Sequence, residues 1–128
     1  MAQTELKLTP AQLEIMNLFW EHGELGVAQV WQLLTEHKTV ARNTVQTMLK
    51  RLADKGWLQP RAQGNAFYFR AARPRKSTLR GMLGQLLDGA FGGSPSGLVM
   101  ALMESRRISP AEAQRIRELI DGIQEKKK

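Results

Sequence analysis

Residues 41–58 read ARNTVQTMLKRLADKGWL. Val45, Met48, Leu49 and Leu52 fall at i, i+3, i+4 and i+7, the spacing of one apolar stripe along a helix. The opposite side carries Asn43, Gln46, Thr47 and Lys50, flanked by Arg42 and Arg51. A solvated helix face usually mixes both signs of charge. This one has a single acid, Asp54, near its end. Amides, hydroxyls and cations without carboxylates suit a surface that meets a polyanion.

The flanking sequence assigns this helix a place. Thr9-Pro10-Ala11-Gln12 has the residues of a capping box with proline in the first turn. Leu13, Met16 and Trp20 then share a face, with Ile15 and Phe19 beside them, and Gly23 ends the helix. A second helix is expected from about Val27 to His37, turning Val30, Trp31 and Leu34 inward. After a break at Lys38–Val40 comes the quoted helix, which Gly56 stops. The period then changes. Trp57-Leu58 opens a short strand that Pro60 keeps at an edge. Gly64-Asn65 can supply the positive φ angles of a tight turn. Ala66–Arg70 alternates, with Phe67 and Phe69 on one face and Tyr68 on the other. Three helices and a hairpin, in this order, make a winged helix-turn-helix. The fold class is mainly α with a small β-hairpin wing.

Charge is concentrated in the same region. The 128 residues carry a net +7. Residues 1–37 hold one cation against five acids, residues 38–76 hold ten cations against one, and residues 77–128 hold eight against six. The field therefore belongs to the middle third, which points to a polyanion; the plainer reading is a solvated, soluble surface. A hydrophobic content of 42% argues against wholesale disorder. There is no cysteine, so disulfides and thiolate metal sites are excluded. No apolar run approaches the roughly 20 residues of a membrane span, and MAQTELKLTP lacks a signal-peptide core. A cytoplasmic protein without membrane insertion is expected.

The last third is helical again. Arg73-Pro-Arg-Lys76 reads as a basic linker, giving a winged domain over 1–72, a linker over 73–78 and a helical region over 79–128. Ser77 is read as the cap of a segment with Leu79, Met82, Leu83, Leu86 and Leu87 on one side. Gly92–Gly97 breaks it, and Leu98–Met103 forms a short apolar helix. Ser109-Pro-Ala-Glu112 reads as a second capping box, starting a helix with Ala113, Ile116, Leu119, Ile120 and Ile123. Such helices carry more apolar surface than they can bury alone. A second copy of the chain is the expected partner, through Leu79, Met82, Leu83, Leu86, Leu98, Leu102, Ile116, Leu119, Ile120 and Ile123. The alternative is packing back onto the winged domain. The Lys126–Lys128 tail is expected to fray.

In a helix-turn-helix the second helix of the motif enters the major groove. The outward face of the quoted helix is thus expected to meet base edges and phosphates. Asn or Gln pairs with adenine and Arg or Lys with guanine, while Thr44 and Thr47 could donate to phosphate or touch a thymine methyl. Lys50, Arg51 and Lys55 lie further along and are assigned to phosphates, as are Arg61 and Asn65 of the wing tip. Duller roles compete: Asn43 or Thr44 as a helix cap, Tyr68 as packing. Trp20, Trp31 and Trp57 are read as core. His22 and His37 are read as solvated or capping rather than metal-binding. No nucleophile with a base, phosphate-cradling loop or metal constellation is present in the sequence, so neither catalysis nor a cofactor is expected. A winged-helix adaptor docking an acidic protein is the alternative function. Its weakness is that charge matching alone needs no amides.

Three segments carry a resemblance: LTPAQLEIMNLFW (8–20), NTVQTMLKRLADKGWL (43–58) and GLVMALMES (97–105). Together, and in this order, they resemble the penicillinase repressor family over nearly the whole chain. The resemblance implies a cytoplasmic repressor that binds palindromic operator DNA as a homodimer. It places Arg42, Asn43, Thr44, Gln46 and Thr47 on the family's base-reading positions, and dimerisation in the C-terminal helices. In the β-lactam branch a membrane sensor-protease signals antibiotic, and the repressor is cut in its dimerisation region at an Asn-Phe bond. The matching pair here is Ala101-Leu102, so the position is kept and the residue types are not. The copper branch uses cysteine pairs, which this chain lacks.

Overall fold

The computed structural model describes residues 7–126; residues 1–6 and Lys127–Lys128, including most of the tail expected to fray, lie outside that range. Helix α1 spans Pro10–His22. Its capping box is complete: the Gln12 N–H donates to Thr9 Oγ1 (3.1 Å), and the Thr9 N–H donates to Gln12 Oε1 (3.0 Å). Strand β1 is Leu25–Gly26, α2 is Val27–Thr35, α3 is Arg42–Asp54, β2 is Leu58–Gln63 and β3 is Ala66–Ala71. The three strands form an antiparallel sheet in the order β1-β3-β2. Leu25 faces Phe69 and Gly26 faces Tyr68 on one side of β3, while Arg61 faces Tyr68 and Pro60 faces Phe69 on the other. Proline thus sits on an outer strand, as its missing N–H requires.

Between the strands of the hairpin, Gly64 alone has positive φ (62°); Asn65 does not. Two positive angles were expected. A positive φ at the first central residue only is the mark of the II′ hairpin turn.

The core joins one face of each element. Ile15, Met16 and Phe19 of α1 meet Val30 and Leu34 of α2, Val45, Leu49 and Leu52 of α3, and Leu25, Trp57, Leu58 and Phe69. The inward face of α1 is therefore Gln12-Ile15-Met16-Phe19, rotated from the expected Leu13-Met16-Trp20 seam. Trp20 and Trp31 sit half-buried at the rim, and only Trp57 is fully in the core. The rim lets each indole N–H find an acceptor: Trp20 Nε1 donates to Arg73 O (2.9 Å) and Trp31 Nε1 to Val40 O (2.8 Å). Burying the ring while leaving its polar edge a partner is the usual compromise for tryptophan.

Helix α4 spans Arg75–Ala90, α5 Pro95–Glu104 and α6 Pro110–Lys126. The segment expected as a linker is helical from Arg75. Thr78 Oγ1 donates to Pro74 O (2.7 Å), and Ser77 lies within the helix instead of capping it. Ser94 caps α5, accepting from the Gly97 N–H (3.0 Å), so that helix begins three residues before the expected Leu98. Ser109 accepts from the Glu112 N–H (3.1 Å), one half of the expected capping box. The chain forms two compact units, one ending at Met82 and the other starting at Leu83. No residue of α4 or α5 is buried. Met100, Met103, Leu119 and Ile123 are each more than half exposed, at 62%, 61%, 57% and 58%. None of the described helices is long and apolar enough to cross a membrane.

Candidate nucleic-acid interface

Helix α3 is held by its apolar stripe. Val45, Leu49 and Leu52 have no exposed surface, and Met48 is half-buried beside them. Burying three such side chains anchors the helix by about 1.5–3 kcal/mol each. The same periodicity leaves Arg42, Asn43, Thr44, Gln46, Thr47, Lys50 and Arg51 all exposed on the outer side.

The start of α3 settles one alternative. The N-cap is Ala41, which has no side chain to cap with, and the Thr44 and Val45 N–H groups bond its carbonyl at 3.1 and 3.2 Å. Asn43 and Thr44 lie inside the first turn, so neither is the cap. Their polar groups stay available on the outer face. Thr47 is partly engaged, its hydroxyl donating to Asn43 O (3.0 Å). That bond spends the hydroxyl's donor and leaves its oxygen free to accept.

A groove runs between α3 and the wing. Arg42, Gln46 and Lys50 line it from α3, and Asn65 and Phe67 from the hairpin. Asn43, Thr44, Thr47, Arg51 and Lys55 are exposed but lie outside this lining. The start of α2 closes the third side, where Gly26 N–H donates to Gln29 Oε1 (2.8 Å). Phe67 was assigned no role by the sequence, yet it is 58% exposed at this groove. Alternation places it on the face of Phe69, but only Phe69 reaches the core.

The cations of this surface are not equivalent. Among the described residues, Arg42, Lys50, Arg51 and Lys55 have no acid within ion-pair distance, whereas Lys38 pairs with Glu14 and Arg61 with Glu24. Arg61, expected to face phosphate, is gripped at two points: Nε to Glu24 Oε2 (2.8 Å) and Nη2 to Glu24 Oε1 (2.7 Å). Its Nη1 donates to Gln63 Oε1 (2.8 Å). Those hydrogen bonds, more than the bare charge of the guanidinium, hold the Glu24 carboxyl below its ordinary range; they also raise Arg61. Arg70 is occupied by Gln59 Oε1 at 2.9 and 3.2 Å. Glu24 was invisible as a partner because it is 37 residues away in the sequence and the strand between them, β1, has only two residues.

Arg73 is also engaged within the chain, and it is half-buried. Its guanidinium stacks over the Trp57 ring, 5.3 Å from the centroid, and Nε is buried. It anchors the end of the winged domain by a cation–π contact instead of adding to a basic linker.

The family profile described as penicillinase repressor matches residues 8–122. Over 122 residues the chain is 24% identical to the penicillinase repressor of Bacillus licheniformis, covering 95% of each chain. Over 127 residues it is 20% identical to the penicillinase repressor of Staphylococcus aureus, covering 98% of this chain and 100% of that one. Among solved structures, the solution structure of the DNA binding domain of the repressor BlaI superposes with a TM-score of 0.50 at 30% identity, over 54% of this chain and 84% of the other. The profile runs from Leu8, just before the capping box, to Gly122 within α6, and so takes in the winged helix and the helices after it. The chain belongs to the penicillinase repressor family.

Proposed function

We propose that this chain is a DNA-binding transcriptional repressor, working in the cytoplasm, that grips a palindromic operator as a homodimer. The observation that carries the reading is the division of α3: three core residues fully buried on one side, and an unbroken outer row of Arg42, Asn43, Thr44, Gln46, Thr47 and Lys50 on the other. An α-helix presented in this way fits the major groove, where Asn, Gln and Arg have the donor and acceptor pairs to read base edges. Arg42, Asn43, Thr44, Gln46 and Thr47 read bases; Lys50, Arg51 and Lys55 neutralise phosphates; and Asn65 meets the flanking backbone. Arg61 is removed from that second group, since three of its five N–H donors, the two-point fork among them, are engaged by Glu24 and Gln63.

The C-terminal helices supply the dimer. Their exposed Leu83, Leu86, Leu102, Leu119, Ile120 and Ile123 are the apolar surface that a second copy covers. Linking two readers raises the effective concentration of the second at its half-site. Cutting the chain at Ala101-Leu102 removes that gain without touching α3. Selection from a pool of random duplexes tests the whole reading. A palindrome with half-sites one or two turns apart, about 34 Å per turn, is the expected result. Recovery of unselected DNA, or of none, refutes it.

A further inference from the structure

Glu24 and Arg61 are joined by a row of residues that crosses all three strands. Arg61 on β2 faces Tyr68 on β3, and Tyr68 faces Gly26 on β1. The guanidinium lies 5.2 Å from the Tyr68 ring centroid. Gly26 leaves the far side of that ring clear: a Cβ there would stand 3.3 Å from Tyr68 Cε1. The arginine therefore reaches inward across the aromatic platform to the turn before β1, where Glu24 takes it in a two-point fork. Its third donor direction is filled by Gln63.

A guanidinium fork fits a carboxylate and a phosphate by the same geometry. Arg61 cannot present that fork to both. An exposed ion pair adds little to stability, so the consequence of this one lies in the charge it cancels. The neighbouring Arg42, Lys50, Arg51 and Lys55 keep their charge free. We propose that Glu24 is a charge-withholding residue: it ties Arg61 back over Tyr68 and so limits the sequence-independent affinity of the wing for the DNA backbone. The inference rests on the repressor reading. It adds that the wing is held short of its full electrostatic grip by an acid of the same chain.

The test is the salt dependence of binding to a random duplex, measured with the full chain and the variants Glu24→Gln, Arg61→Gln and the two combined. Glu24→Gln removes the opposing charge and one of the two accepting oxygens, so the two-point hold is lost and the log–log salt slope should steepen by about 0.9 per protomer, with a roughly three- to tenfold gain in affinity at low salt. Operator and random duplex should gain by the same factor, because a phosphate contact is blind to sequence. Arg61→Gln alone should leave the slope unchanged, and the double variant should return to that same slope. A flat response to Glu24→Gln overturns the proposal. So does a slope that falls by about one unit per protomer in Arg61→Gln, since Arg61 would then already be on a phosphate. A gain that persists in the double variant also overturns it, by showing only the loss of a negative charge. These outcomes leave the repressor reading intact; that reading fails instead if the unaltered chain binds no duplex.

Discussion

Lys50→Ala gives the sharpest check on how the recognition helix is used. Lys50 lies on the exposed face of α3, lines the groove with Gln46 and Asn65, and has no acid within ion-pair distance among the described residues. Exchanging an exposed helical lysine for alanine changes helix propensity by only a few tenths of a kcal/mol, so folding is not at issue. With Arg42, Lys50, Arg51 and Lys55 free on each protomer and Arg61 withdrawn, a dimer neutralises about eight phosphates and its salt slope is about −7. Removing Lys50 from both protomers leaves about six, and a slope near −5.4. Raising salt from about 50 to 200 mM should then weaken the unaltered dimer about 20,000-fold and the variant about 2,000-fold. The variant's deficit should shrink roughly tenfold across that range. Fluorescence anisotropy with a labelled operator, read at several salt concentrations, follows both lines. Parallel lines would show that Lys50 touches no phosphate. A deficit confined to one base sequence would move Lys50 to the base-reading set.

The remaining predictions separate the other parts of the chain. Asn43→Ala and Gln46→Ala should relax preference at particular operator positions, costing about 1–3 kcal/mol against the cognate site and little against random DNA, as competition with single-base variants of the operator would reveal. Leu49→Ala, at a fully buried position, should lower stability by about 2–5 kcal/mol in a urea melt, and DNA binding should fall in step with the folded fraction. A chain ending at Met82, the limit of the first compact unit, should hold a half-site as well as the full chain does but lose the advantage on the palindrome; equal affinity for the palindrome would refute the C-terminal dimer. Glu24 is held below the ordinary carboxylate range by its bonds to Arg61. Its ion pair is therefore present above that range and lost only as pH falls through the lowered value. The difference between Glu24→Gln and the unaltered chain should be the same at about pH 6 and pH 8, both well above carboxylate titration; a difference that vanished at the lower pH would mean that Glu24 is not so held.

Much of this molecule is legible without coordinates. Three-to-four spacing marked the buried stripe of α3, period two marked β3, and the Thr9-Gln12 box marked the start of α1. All are interactions among near neighbours in the chain, so local pattern suffices to find them. The polar outer row of α3 follows from the same periodicity, since a helix that buries Val45, Leu49 and Leu52 must turn Asn43, Gln46 and Lys50 outward. The amphipathic C-terminal segments were equally plain, although one helix starts at Arg75, inside the expected linker, and another at Pro95, where Ser94 caps it through a bond that periodicity does not register.

What only the tertiary structure decided is which polar groups are spent. Strand β1 has two residues, too few for any period, and exists because β3 offers Leu25 and Gly26 a ladder to join. Once it forms, Glu24 is brought to Arg61, and a cation that composition assigns to phosphate is neutralised within the chain. Arg73 likewise reads as linker charge and is found stacked on Trp57. Sequence determines the inventory of charges, because ionisation belongs to the residue. Which of them remain free of a partner depends on contacts between residues far apart in the chain, and those are made only when the sheet closes.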